Sequence, residues 1–173
     1  MVLAGGSPAF AARLSRLFAT WCFAVTFVCL LGGSQVVLYQ TGLSTASVRI
    51  ASQSAVVELA LTEEQRRKGL SFRASHSLGD SMLFVFDTPF TLTFSMRDTL
   101  LPLSIGFFGA DCTLNSVREM HVDSKLIYSS DKPSLLALEM PSGWFTQSGV
   151  VVGDELRLSS VGKVDIDLPC TQS

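Results

Sequence analysis

With 173 residues the chain has material for one hydrophobic core, and 13 Lys and Arg against 15 Asp and Glu leave a formal net charge of −2. That balance gives no basic field to gather nucleic acid and no acidic excess of the kind found in solvating tails. The charges are unevenly placed: no Asp or Glu precedes Glu58, whereas Arg13, Arg16 and Arg49 do.

From Leu17 through Trp21, Phe23, Phe27 and Leu30 to Leu31 the chain is apolar, and no charge follows Arg16 until Arg49. Arg13 and Arg16 upstream predict a membrane-targeting helix with a cytoplasmic N-terminus, and an exported remainder. Residues 1–34 read as a signal peptide or a membrane anchor, and both stay open. Leu17–Leu31 has signal-peptide length and small residues follow at Gly32–Ser34. Extended to Tyr39, the run reaches about 23 residues, or roughly 34 Å of helix, enough to span a bilayer. Trp21 and Val28 before Cys22 and Cys29 are too large for a lipoprotein cleavage site, so those cysteines read as small hydrophobes. Residues 35–47 read as a linker and 48–173 as a single β-rich domain.

Short apolar runs broken by turn residues predict strands near Val48–Ala51, Ala55–Leu61, Met82–Phe86, Phe90–Met96, Leu103–Phe108, Thr113–Val122, Leu135–Met140 and Glu155–Ser160. In Phe90–Met96 the apolar residues alternate with Thr91, Thr93 and Ser95, which predicts one buried and one wet face. Thr62 and Gln65 form a capping box, Glu63 and Glu64 suit a helix N-terminus, Arg66–Lys68 suit its C-terminus, and Gly69 ends it. A second helical turn is expected at Gly143–Ser148. The fold class is mainly β with one or two short helices (α+β), an antiparallel barrel-like or sandwich domain.

The ordered set Val57-Glu58-Leu59-Ala60, Arg66, Gly69-Leu70, Arg73, Met82-Leu83-Phe84-Val85-Phe86, Phe94, Met96, Thr99, Pro102-Leu103, Leu138-Glu139, Gly143 and Gly153-Asp154 resembles the prokaryotic family catalogued as domain of unknown function 192. The resemblance spans Val48 to Leu158 and implies a compact, barrel-like, mostly β domain behind an export signal or lipid anchor. It implies no reaction, ligand or catalytic residue. The sequence departs from the family pattern at Ser71 (usually Met), at Ser81 (usually Gly), at Ser95-Met96-Arg97-Asp98-Thr99 (usually Trp-Met-Lys-Asn-Thr) and at Ser104 (usually an acid).

Arg97, Asp98 and Thr99 leave a strand end, where a scaffold presents binding groups, although turn chemistry accounts for the same residues. Glu58 and Glu139 sit in otherwise apolar strands, so each is either solvent-facing or paired with a cation such as Arg73 or Arg97. Gly79-Asp80-Ser81-Met82 matches a serine-esterase motif without its context, since a strand follows it and the C-terminal region has no His. Two histidines lack the spacing of a zinc site, though His76, His121, Asp80 and Asp123 could meet in space, and the histidines read as surface residues; Trp144 and Phe145 read as pinning a turn into the core. Cys112 and Cys170 form a possible disulfide, worth about 4 kcal/mol by loop entropy in an oxidising compartment. No cofactor motif is present.

The reading is a binding or accessory module of the cell envelope, with Arg73, Arg97, Asp98, Thr99 and Glu139 as candidate binding residues. Its expected partners are the membrane, through an uncleaved leader, and an envelope component or small ligand. The alternative is a small extracytoplasmic hydrolase or isomerase using Glu58, Glu139, Asp98 or His121, which requires two of these groups to converge in one cleft with a shifted pKa.

Overall fold

The computed structural model describes residues 42–73, 80–122 and 124–161. The leader, His76, Gly79, Asp123 and Cys170 lie outside these residues. Among the described residues no helix is long and apolar enough to cross a membrane.

The described residues open with β1 (Thr45–Ile50), three residues inside the segment read as linker, and turn tightly into β2 (Gln53–Ala60). Helix α1 (Glu63–Lys68) follows with its capping box formed: the Gln65 amide donates to Thr62 Oγ1 at 3.2 Å, and the Thr62 amide donates to Gln65 Oε1 at 3.0 Å. Strands β3 (Met82–Phe90), β4 (Thr93–Ser95), β5 (Leu103–Phe108), β6 (Leu114–Met120), β7 (Ile127–Ser129) and β8 (Ser134–Pro141) precede helix α2 (Trp144–Gln147) and β9 (Leu156–Val161).

Seven strands form one curled sheet in the order β6-β5-β8-β3-β2-β1-β9, a half-barrel, while β4 and β7 form a separate pair. One neighbour pair departs from the antiparallel expectation: β2 and β3 run parallel. Residues 61–81, which include α1, separate the two strands, and such a crossover is what parallel neighbours require. At one end a bridge between Thr113 and Glu155 draws the two edges of the sheet together, backed by Leu114 N–H to Asp154 O at 2.8 Å and Leu156 N–H to Cys112 O at 2.9 Å.

Strand β5 is buried at all six positions and β8 at all but Pro141, which explains their continuous apolar runs: both faces of the sheet are covered. One face carries Val48, Leu59, Leu83, Leu136, Leu138 and Leu156 with Phe145 of α2. The other carries Met82, Phe84, Ile105, Phe107 and Ala137 together with Tyr128 of β7 and Leu92 and Met96, which flank β4. Phe145 lies so close to Gly106 that a Cβ there would stand 2.7 Å from its Cζ. Gly106→Ala is therefore expected to cost about 1–3 kcal/mol by overpacking, read as a lower urea midpoint at unchanged m-value.

The alternating segment Phe90–Met96 is not one strand. The register of β3 against β8 shifts between Val85 and Phe90, Pro89 supplies no backbone donor, and pairing resumes only at Thr93 against β7, which the sequence reading missed. Leu92 and Met96 are buried as expected, but Phe90 is 48 % exposed, its ring edge-on to Phe86.

Cys112 is disulfide-bonded, to a partner outside the described residues. Reduction, or Cys112→Ser, is expected to lower stability by about 2–5 kcal/mol, checked by denaturation with and without dithiothreitol.

Candidate functional site

Directly paired residues share a face of a sheet. The registers place Glu58 of β2 beside Met82 of β3, Met82 beside Glu139 of β8, and Glu139 beside Ile105 of β5. Two carboxylates thus stand on the same apolar face two strands apart, about 10 Å between backbones.

Arg73 serves both. Its Nη2 reaches Glu58 Oε2 at 2.5 Å, with the two side chains only 10 % and 15 % exposed, and its positive charge also acts on Glu139. The local fold aims it there. After Gly69 ends α1 the chain passes Phe72 in the left-handed region (φ 63°), with the Phe72 amide donating to Asp98 O at 2.7 Å. Asp98 is itself left-handed (φ 59°). The Arg97-Asp98-Thr99 turn acts here through its backbone: Arg97 O accepts from Ser71 Oγ and Thr99 Oγ1, both at 3.4 Å, and Met96 O accepts from the Thr99 amide at 3.1 Å.

Glu139 is 6 % exposed, and burial pushes its carboxyl up from 4.5 to about 8, with Arg73 pulling the other way. It therefore holds a proton at neutral pH and can donate a hydrogen bond.

Glu139 lines an open cleft of about 250 Å³. One wall is Arg66–Ser71 at the end of α1, the other is Thr93, Phe94 and Ser95 of β4 with Thr99, and Phe84 and Phe86 complete it. Arg66 is held by Leu61 O at 2.6 Å and Val85 O at 2.7 Å and lies over the Phe86 ring at 4.9 Å, so it shapes the wall. Phe94 packs edge-on to Phe84 at 4.9 Å and tilted to Phe107 at 5.9 Å, fixing β4 over the sheet.

Of the five candidate binding residues, Glu139 and Thr99 line the cleft, Arg73 stands beside Glu139, and Arg97 and Asp98 are exposed outside the lining. His121 is exposed and is likewise not among the lining residues. Among the described residues no group of three or more His, Cys, Asp or Glu could hold a metal ion. Phe145 is buried with Trp144 edge-on to it at 5.1 Å, the core-pinning arrangement.

The sequence reading missed Gly69–Ser71, Phe84, Phe86 and β4 as cleft residues. A signal for two of them was present, since Ser71 and Ser95 stand where the resembled family carries Met and Trp, and both line the cleft. The departure at Ser104 does not bear on it. Ser104 is one residue from Ile105 and so faces the opposite side of the sheet, where its hydroxyl donates to Glu119 Oε1 at 2.7 Å and accepts from the Gly143 amide at 2.8 Å.

The model of a family described as uncharacterized ACR, the domain of unknown function 192, matches residues 46–158. The solved structure of a protein described as a putative transcription regulator, from Sinorhizobium meliloti 1021, is similar at 29% identity and a TM-score of 0.65, over 69% of this chain and 98% of that one. A protein of unknown function from Novosphingobium aromaticivorans DSM 12444 is similar at 30% identity and a TM-score of 0.62, over 73% and 99% of the two chains. No curated protein matches.

Proposed function

The chain belongs to the domain of unknown function 192 family, and from that premise we propose that its folded domain is an extracytoplasmic binding module whose ligand enters the Glu139 cleft. The observation that carries this is the buried Glu139 carboxyl, its pKa raised by burial, lining an open cleft together with Phe84, Phe86, Phe94, Arg67 and Lys68. A few directed polar groups among aromatic walls are the usual make-up of a ligand site. The protonated Glu139 would donate to a ligand carbonyl or carboxylate, and the two cations would favour an anionic ligand.

The arginine-flanked apolar leader supports placement across a membrane. The disulfide at Cys112 suits an oxidising compartment. Regulation of transcription, the role suggested for the Sinorhizobium meliloti relative, would call for a basic surface, and a net charge of −2 offers no general one.

A second reading rests on the same group. A carboxyl with a pKa of about 8 is poised for general acid or base work at neutral pH. Turnover of a bound compound, lost in Glu139→Gln, would favour this reading over simple binding.

The test is a thermal-shift screen of the full-length protein against small acids, sugars, nucleotides, cell-wall fragments and short peptides. A compound at a hundredfold over its Kd should stabilise the wild type by about 2.7 kcal/mol, and the gain should vanish in Glu139→Leu. Shifts that persist unchanged in Glu139→Leu, or none with any compound, would overturn the proposal.

A further inference from the structure

The pairing of β4 with β7 has a definite phase. Ser130 N–H donates to Leu92 O at 3.0 Å, and the register sets Thr93 opposite Ser129 and Phe94 opposite Tyr128. In an antiparallel pair, bonded and non-bonded positions alternate. Leu92 and Phe94 therefore turn their N–H and C=O groups toward β7. Those of Thr93 and Ser95 point away, along the other edge of β4, and both residues are exposed and border the cleft. Among the described residues no strand pairs with that edge.

The cleft beside this edge holds about 250 Å³, below the roughly 300–1,000 Å³ of pockets for drug-sized molecules and of a size for one or two side chains. Its charge is one-sided. Arg66, Arg67 and Lys68 line it, and among the described residues its single acid is Glu139, which carries its proton at neutral pH. Among the described residues Lys68 pairs with the exposed Glu64 at 3.2 Å, a contact that competes weakly with a ligand.

Resting on the reading of the cleft as a binding site, we propose that its ligand is a short extended peptide bearing a carboxylate, whose main chain adds to the outer edge of β4. The peptide backbone bonds to the N–H and C=O groups of Thr93 and Ser95. Alternate side chains enter the cleft toward Phe84 and Glu139, and an acidic side chain or C-terminal carboxylate meets Arg67 and Lys68. This is strand addition, in which main-chain bonds give affinity and the pocket gives specificity. With only two outward-facing residues, the edge accepts one short segment and does not template sheet growth.

The experiment probes an array of immobilised random hexapeptides with the full-length protein at pH 7 and measures the hits by fluorescence polarisation. Hits should be enriched in Asp and Glu. N-methylation of one peptide amide, and Ser95→Pro in the protein, should each weaken them at least tenfold, and Arg67→Glu should weaken them as well. Proline is tolerated where an edge N–H faces outward. Far-UV circular dichroism checks the fold of Ser95→Pro, and the N-methyl series needs no variant protein. Hits indifferent to N-methylation at every amide would overturn strand addition. An array without binders, beside a small compound that still loses its thermal shift in Glu139→Leu, would overturn the peptide proposal and leave the cleft standing. Failure of both screens would remove both.

Discussion

Arg73→Ala is expected to lower the stability by about 3–5 kcal/mol, because it strips the cation from the Glu58 carboxylate, held on an apolar face beside the neutral Glu139. The Glu58 side chain is 15 % exposed and Glu139 6 %, so water cannot easily replace the guanidinium. The loss should arise from the uncompensated charge at Glu58, and the double variant Arg73→Met with Glu58→Leu should recover most of it, since a buried pair replaced by apolar groups of similar volume is often neutral. Urea denaturation of the three proteins checks this. A loss below about 1 kcal/mol in Arg73→Ala, or a double variant no better than the single, would contradict the assignment. Arg73 pulls the Glu139 pKa down, so its removal should also raise that pKa further.

Among the described residues Glu139 should give the largest pH effect. Its folded pKa of about 8 lies above its ordinary 4.5, so the folded protein keeps a proton that the unfolded chain releases. The resulting stability is fully present below about pH 4.5 and is lost as pH rises through about 8. At 1.36 kcal/mol per pH unit the change across that window is on the order of 5 kcal/mol. Glu139→Gln keeps the shape and the donor without the titration. The stability difference between wild type and Glu139→Gln should therefore fall steadily from pH 4.5 to 8 and flatten above. Parallel profiles would show that Glu139 titrates as an ordinary carboxylate. Taking the difference cancels the other carboxylates, which both proteins share.

Much of the fold was legible in the sequence because its signals are local. The capping box from Thr62 to Gln65 and the stop at Gly69 are complete within a few residues, and α1 forms where they place it. The run Leu103–Phe108 is β5 without adjustment, since a strand covered on both faces needs only continuous apolar character. What failed was non-local. The parallel β2–β3 pairing depends on how residues 61–81 cross over, and the break between Phe90 and Thr93 depends on a register shift against β8. Neither leaves a periodic trace.

The site was half legible for the same reason. A carboxylate in an apolar strand marked Glu58 and Glu139, and Arg73 was named as a partner. The convergence of the two acids follows from two strand registers that no window of sequence contains. The turn Arg97-Asp98-Thr99 drew attention as a polar cluster, yet it positions Phe72 and Ser71 through backbone groups, which side-chain chemistry does not reveal. β4 passed as the middle of a longer strand, so its outward edge was invisible until β7 was found beside it.

The most direct test of a protonated Glu139 lining a ligand cleft is a carbon-13 NMR titration of its side-chain carboxyl, free and with a binder from the screens. The account predicts a midpoint near 8 in the free protein and a displaced carboxyl resonance on binding; a midpoint near 4.5, or a resonance that binding leaves unmoved, would contradict it.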